Sequence, residues 1–360
     1  MTYPLGWSVV TQTLIRRERW PGRYRTRGIA LVYPGQEVQP DQPVIRLEKA
    51  EQVLGEANNP ANAVPSGDQF SDGLSSMALS STKTAPVSAA ILAAVRENVS
   101  TQSSTAGGVS ETVPAGMRGR VADITRRGGV IIESRAAVIQ GAIGAGNQVA
   151  GVLTLWKAGG TSRGQQPIPP GAILIVPGPL NFAMLRQALI SGVAGVVASS
   201  ISSHDLEGFL RTDLVQLIDS PDIELAQAHL PPVTLLLTEG LGTIAMPART
   251  INLLSQYTGS IALISGATSI RQAIYPELII SLPPAEALHN WHPIQPDPNL
   301  AIGAQVRVCS GDYEGAIGEI TYLFNHQQVF PSGVHGRAAR LRLEDNSTLV
   351  VPLALLERIG

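Results

Sequence analysis

The chain has 360 residues, enough for two or three domains that each bury a core. A net charge of -2, with only 15% of residues charged, excludes a global field that would draw the whole surface to nucleic acid or membrane. The single cysteine, Cys309, excludes an intramolecular disulfide, and 36 glycines with 26 prolines suit turn-rich β structure joined by linkers.

No charged-then-apolar leader opens the sequence. The longest apolar stretches, AILIVPG and ALISGVAGVVASSI, are too short and too glycine-broken to span a bilayer. The expectation is a cytoplasmic protein with no membrane span. Residues 8–15, SVVTQTLI, and 29–33, IALVY, read as strands. The connection between them is basic and hairpin-like: Arg16, Arg17, Arg19, Arg23, Arg25 and Arg27 are offset only by Glu18, with Trp20 and Tyr24 interleaved. Guanidinium forks pair with phosphates and aromatic rings stack on bases, so this stretch is a nucleic-acid or anion-binding candidate. The competing reading is a solvated arginine face, or arginines paired with the protein's own carboxylates.

From 52 to 111 the sequence turns rich in Ser, Ala, Thr, Asn and Gly, which predicts a flexible insert. Within it, PVSAAILAAVRENV (86–99) has a helix-start proline and an apolar run that predict a short helix. Strand patterns resume over 112–157, so 1–50 and 112–157 are expected to form one β domain split by the insert. Gly141, Gly144 and Gly146 have no following helix or acidic partner and are read as turns, not a phosphate loop.

After a Gly/Ser/Pro linker, 172–282 alternates strands with helices, predicting an α/β domain with a mostly parallel sheet. The strands are expected at 172–178, 193–200 and 231–240, with a β return in SIALISG. Helices are expected at 179–192, after a cap-like Ser203, and in MPARTINLLSQY. Residues 283–302 are a proline-rich linker. Beyond it, Val306 and Val308 alternate with polar neighbours, Tyr313, Ile317 and Ile320 resume the apolar face, and Asp345-Asn346 suits a tight turn. Cys309 is expected as a buried thiol on this last β unit.

No nucleophile elbow, P-loop or zinc-protease motif occurs, and the histidines are scattered apart from His289 and His292. Neither a metal site nor a cofactor is expected. Two places that follow strands are anion-binding alternatives, the strand-to-helix turn Pro177–Asn181 and the loop 265–272 with Ser265, Thr268 and Arg271.

Two resemblances arise from these residues. The pattern V-x-V-x-x-G-x-Y-x-G-x-x-G-x-I over 306–320, with turn residues Gly311, Gly315 and Gly318, resembles the KOW module of NusG-type factors and ribosomal proteins. That resemblance implies an SH3-like barrel over 303–360, and a partner among RNA, ribosome or polymerase. The unit carries five arginines and six carboxylates, so protein is a serious rival as ligand. Only 325–340 concentrates His326, His335, Arg337 and Arg340 without acids. The turn patterns at 35–45 and 113–124 resemble the biotinyl/lipoyl-type barrel-sandwich fold, which implies a split barrel-sandwich-like domain and places Lys49 near the position its carrier members modify.

The expected fold is therefore multidomain α and β, with a split barrel-sandwich-like domain, a central α/β domain and a KOW-like barrel. The expected function is a non-enzymatic adaptor or scaffold with a protein partner. Nucleic-acid binding through residues 16–27 and 325–340 is the alternative, and an enzyme with a site on the α/β domain is a third class.

Overall fold

Alternating burial along β1 (Val9–Arg19) places Val9, Ile15 and Arg19 inward while Leu14 and Arg16 face out. β1 runs antiparallel to β7 (Val130–Gln140) over nearly its whole length. The other edge of β7 is shared by β6 (Gly119–Ile124) and β14 (Glu277–Ser281). The computed structural model describes residues 8–21, 26–49, 111–156, 168–284, 293–294, 297 and 299–360. The expected helix 86–99, nearly all of the insert, and Arg23, Tyr24, Arg25, His289 and His292 lie outside the described residues, as does the Lys49 side chain.

β2 (Thr26–Ala30), β4 (Pro43–Lys49) and β5 (Glu111–Pro114) form a separate three-stranded sheet, and β3 (Glu37–Val38) pairs with β6. β1 and β2 therefore do not pair with each other, and the arginine-rich connection is not a hairpin. Its first four charged residues are instead drawn into β1, whose alternating pattern continues through Arg19. A core of Ile15, Trp20, Val44, Ile45, Met117, Val121 and Ile132 fills the space between the two sheets.

Leu47 of β4 stands opposite Glu111 of β5, so the chain leaves and re-enters this hairpin at neighbouring positions. Joining Lys49 directly to Glu111 through an Asn-Gly turn should consequently keep the fold. A melting temperature within about 2 °C of the parent, equivalent to about 1 kcal/mol for a chain of this size, is the expected result. A larger fall in a thermal melt would mean that residues 50–110 stabilise the rest.

The strand pairing runs without a break across the boundary expected between 157 and 172. β8 (Ile143–Ala145) pairs with β12 (Thr234–Leu241), and β9 (Val149–Leu155) pairs with both β10 (Ile173–Val176) and β13 (Ile261–Ser265). The full order is β3-β6-β7-β14-β13-β9-β10-β11-β12-β8, with β11 at Gly195–Ile201 and β1 also on β7. Only β9-β10-β11-β12 run parallel; the flanks are antiparallel. A glycine- and proline-rich stretch marks a connection between adjacent parallel strands as well as it marks a domain boundary.

Helices α1 (Phe182–Ile190), α2 (Ser203–Leu210), α3 (Leu214–Ile218) and α4 (Ile223–Gln227) precede β12. They cover one sheet face, where Leu185, Leu206, Phe209 and Leu217 meet Leu174, Val196 and Leu235. α5 (Ala248–Gln256) covers the other face, with Leu253 and Leu254 in one core with Ile173, Val197 and Leu236. Ser202, not Ser203, caps α2 by accepting a hydrogen bond from the Asp205 amide at 3.1 Å.

The C-terminal residues form a five-stranded antiparallel sheet in the order β20-β19-β16-β15-β21. Its strands are β15 (Gln305–Val308), β16 (Ile317–Leu323), β19 (Ala338–Leu343), β20 (Thr348–Pro352) and β21 (Leu356–Arg358). The small hairpin β17–β18 (Gln328–Val329 and His335–Gly336) sits between β16 and β19. Val306, Val308, Ile320, Leu341 and Val351 form its core. Gly311 and Gly315 adopt φ of 96° and 83°, a left-handed conformation that favours glycine. Gly318 lies where a Cβ would stand 2.7 Å from the Arg342 carbonyl oxygen, so the β16–β19 pair excludes a side chain there. Tyr313 is exposed and does not resume the apolar face, because it belongs to the turn between those glycines. Cys309 is also exposed, one residue past the end of β15, contrary to the expected buried thiol.

Candidate functional site

The arginine tract is partly consumed by the fold. Arg17 makes a two-pronged pair with Glu277 of β14, its Nε 2.8 Å from Oε1 and its Nη2 3.0 Å from Oε2. Arg19 is 2% exposed, and no carboxylate pairs with it among the described residues. Its Nε donates to the Pro114 carbonyl at 2.9 Å, and its Nη1 donates to the Gln148 side-chain oxygen at 3.0 Å. Burial pushes the guanidinium down to about 9, still above neutrality, so Arg19 is a buried cation held by carbonyl oxygens.

Trp20 is buried too, its indole N–H donating to Glu224 Oε1 of α4 at 3.1 Å. The Arg127 guanidinium lies 5.0 Å from the Trp20 ring centre and pairs with both Glu18 and Glu224. Burial alone would raise the Glu18 carboxyl, but hydrogen bonds from Arg127 and Thr125 outweigh it and hold it below its ordinary value. Of the described tract, Arg16 and Arg27 remain exposed. Sequence periodicity gave no sign of Arg127, which reaches the tract only through the β6–β7 turn.

The two turns expected as anion-binding candidates make internal contacts as well. Asn181 caps α1 by accepting from the Met184 amide at 2.9 Å. Thr268 hydrogen-bonds both the amide and the carbonyl of Gly144, and Arg271 pairs with Asp219 at 2.6 Å.

The carboxyl ends of parallel strands are where open α/β sheets usually take ligands. Here the C-terminal sheet reaches that edge. Glu239, near the end of β12, has a side chain only 3% exposed and is paired with Arg307 of β15, which also holds Glu357 of β21 at 2.7 Å. Burial pushes the Glu239 carboxyl above its ordinary value even against the pull of Arg307. The same burial opposes the charge on Arg307, yet Glu239 and Glu357 together raise it. Beside this triad, the Ser200 hydroxyl donates to the Ile244 carbonyl at 2.9 Å, and Gly315 packs so closely that a Cβ would lie 3.2 Å from Ile244.

One face of the C-terminal sheet carries a row of exposed side chains. Cross-strand register sets Tyr322 of β16, Arg340 of β19 and Val350 of β20 in one row. Tyr322 is 44% and Val350 41% exposed. The Arg340 guanidinium carbon lies 5.8 Å from the Tyr322 ring centre and 5.7 Å from that of Phe324, and the two rings meet edge to face at 5.0 Å. Neither Arg337 nor Arg340 has an ion-pair partner among the described residues, whereas the next row pairs Arg342 with Glu319 at 2.6 Å. His335 and Arg337, in the acid-free segment, are exposed as well. Tyr322 and Phe324 escaped sequence reading because a register shift between Ile320 and Tyr322 breaks the simple alternation of β16.

Comparison with protein-family models, with curated proteins and with solved structures finds no match for this chain.

Proposed function

We propose that this chain is a non-enzymatic cytoplasmic adaptor, in which the C-terminal sheet acts as a KOW-like, SH3-like binding module on a platform made by the other strands and helices. The observation that carries this reading is the seating of the C-terminal sheet on the carboxyl edge of β12. The Arg307–Glu239–Glu357 triad and the Gly315–Ile244 contact occupy the edge where small-molecule chemistry would be built, while Tyr322, Arg340 and Val350 of the same sheet stay exposed. An apolar and cationic sheet face of this kind suits a macromolecular partner.

The test is crosslinking mass spectrometry on nuclease-treated native material. With Lys49, Lys83 and Lys157 as the only lysines and 28 acidic residues, carboxylate-reactive crosslinkers suit this chain better than amine-reactive ones. A defined protein crosslinked to residues 317–352, in a stoichiometric complex that survives nuclease, supports the adaptor reading. A chain that stays alone, or whose complexes vanish with nuclease, overturns it. The second reading, binding to RNA, ribosome or DNA, is favoured by the exposed Arg16, Arg27, Arg337 and Arg340. It requires a labelled oligonucleotide to bind with a steep salt dependence.

A further inference from the structure

Four features of the C-terminal sheet point to one kind of occupant. Arg337 and Arg340 are exposed cations without carboxylate partners among the described residues, so each can accept a carboxylate or phosphate without first breaking a pair. Arg340 is held over Tyr322 and Phe324, which limits its rotamers and reduces the entropy lost when it captures an anion. Apolar side chains are exposed on the same unit: Val350 opposite Arg340, and Val329 and Val334, 65% and 56% exposed, in the hairpin between β16 and β19. Finally, the unit as a whole has five arginines against six carboxylates, too few positive charges for phosphate contacts to dominate affinity.

The same geometry separates protein from nucleic acid. Base stacking needs open ring faces, but here one guanidinium lies over both rings and the rings meet edge to face. Exposed valines add nothing to a phosphate–sugar backbone and contribute directly to burying an aliphatic side chain. We propose that this sheet and its β17–β18 hairpin bind an extended acidic segment of a partner protein, its carboxylates on Arg337 and Arg340 and its apolar side chains on Val329, Val334 and Val350. The proposal rests on the adaptor reading and specifies its partner chemistry.

The probe is a fluorescein-labelled alternating Glu-Val octapeptide, titrated onto the full chain by fluorescence anisotropy at low and high salt, beside a labelled short oligo(dT). The expected result is saturable peptide binding that weakens with salt, falls about tenfold or more in Arg340→Glu, and is also reduced in Arg337→Glu. Arg46→Glu, on the exposed side of β4, should leave it unchanged. Melting temperatures of Arg337→Glu and Arg46→Glu should match the parent, since those side chains are solvated, and Arg340→Glu, which loses its contacts with Tyr322 and Phe324, should melt within a few degrees of it. Absence of peptide binding, an unchanged affinity in Arg340→Glu, or tighter binding of oligo(dT) that Arg340→Glu abolishes would each overturn the proposal. None of these outcomes bears on whether the chain forms a nuclease-resistant protein complex, so the adaptor reading stands or falls separately.

Discussion

Arg307→Met is expected to destabilise the protein by about 3–5 kcal/mol at neutral pH, because it strands the Glu239 carboxylate in a buried site with no counter-charge. Glu357, the other partner of Arg307, is 29% exposed and can be solvated, so Glu239 dominates the loss. The double variant Arg307→Met/Glu239→Gln should recover most of it, since the amide carries no charge to desolvate. The pH dependence has a definite sign. A carboxyl whose folded value lies above its unfolded value binds extra protons when folded, so its contribution to stability falls as pH rises through the glutamate range. In wild type Arg307 opposes this effect; in Arg307→Met the opposition is gone. Urea denaturation should therefore show the variant's deficit growing from pH 5 to pH 7, and the double variant's staying flat. A deficit under about 1 kcal/mol at neutral pH, or one that grows toward acid, would contradict the role given to Glu239.

Gln148→Leu should cost about 3 kcal/mol, a large effect for a partly exposed residue. The Gln148 side-chain oxygen accepts from both Arg19 Nη1 and the Trp20 amide, each at 3.0 Å, while its Nε2 donates to the Glu18 carbonyl at 3.0 Å. Leucine nearly preserves the volume and removes all three bonds, leaving a buried guanidinium with poorer compensation. Arg19 stays charged at neutral pH even with its value pushed down to about 9, so the penalty is that of an ion and not of a neutral group. Adding Arg19→Met should return much of the stability, as apolar replacements of buried ions often do. If Arg19→Met makes Gln148→Leu worse in chemical denaturation, the guanidinium is not the group that Gln148 serves.

The parts of the fold visible in the sequence are those governed by local periodicity. β10, β11 and β12 appear nearly where their apolar runs place them, because continuous burial on both faces leaves an uninterrupted pattern. The β19–β20 turn is similarly legible, with Asn346 at φ 64°. What was hidden depends on distant partners. β14 is a five-residue strand whose pairing with β7 joins segments far apart in the chain, and nothing local in Glu277–Ser281 signals it. The arginine tract shows the same limit for function. Arg16 and Arg17 are neighbours in an identical local context, yet one faces solvent and the other meets Glu277. Strand alternation predicts that they differ, but only the arrival of β14 says what the inward one finds.

That late arrival sets a timetable during synthesis. β7 is complete at Gln140, but β14, which covers half of its second edge and supplies Glu277 to Arg17, ends at Ser281. At translation rates of about 5–20 residues per second, the nascent chain spends roughly 7–28 s with that edge open. An open, apolar strand edge invites pairing with other chains. Slowing translation between residues 140 and 281 should therefore raise aggregation, and a ribosome-bound holding factor should matter most within this window.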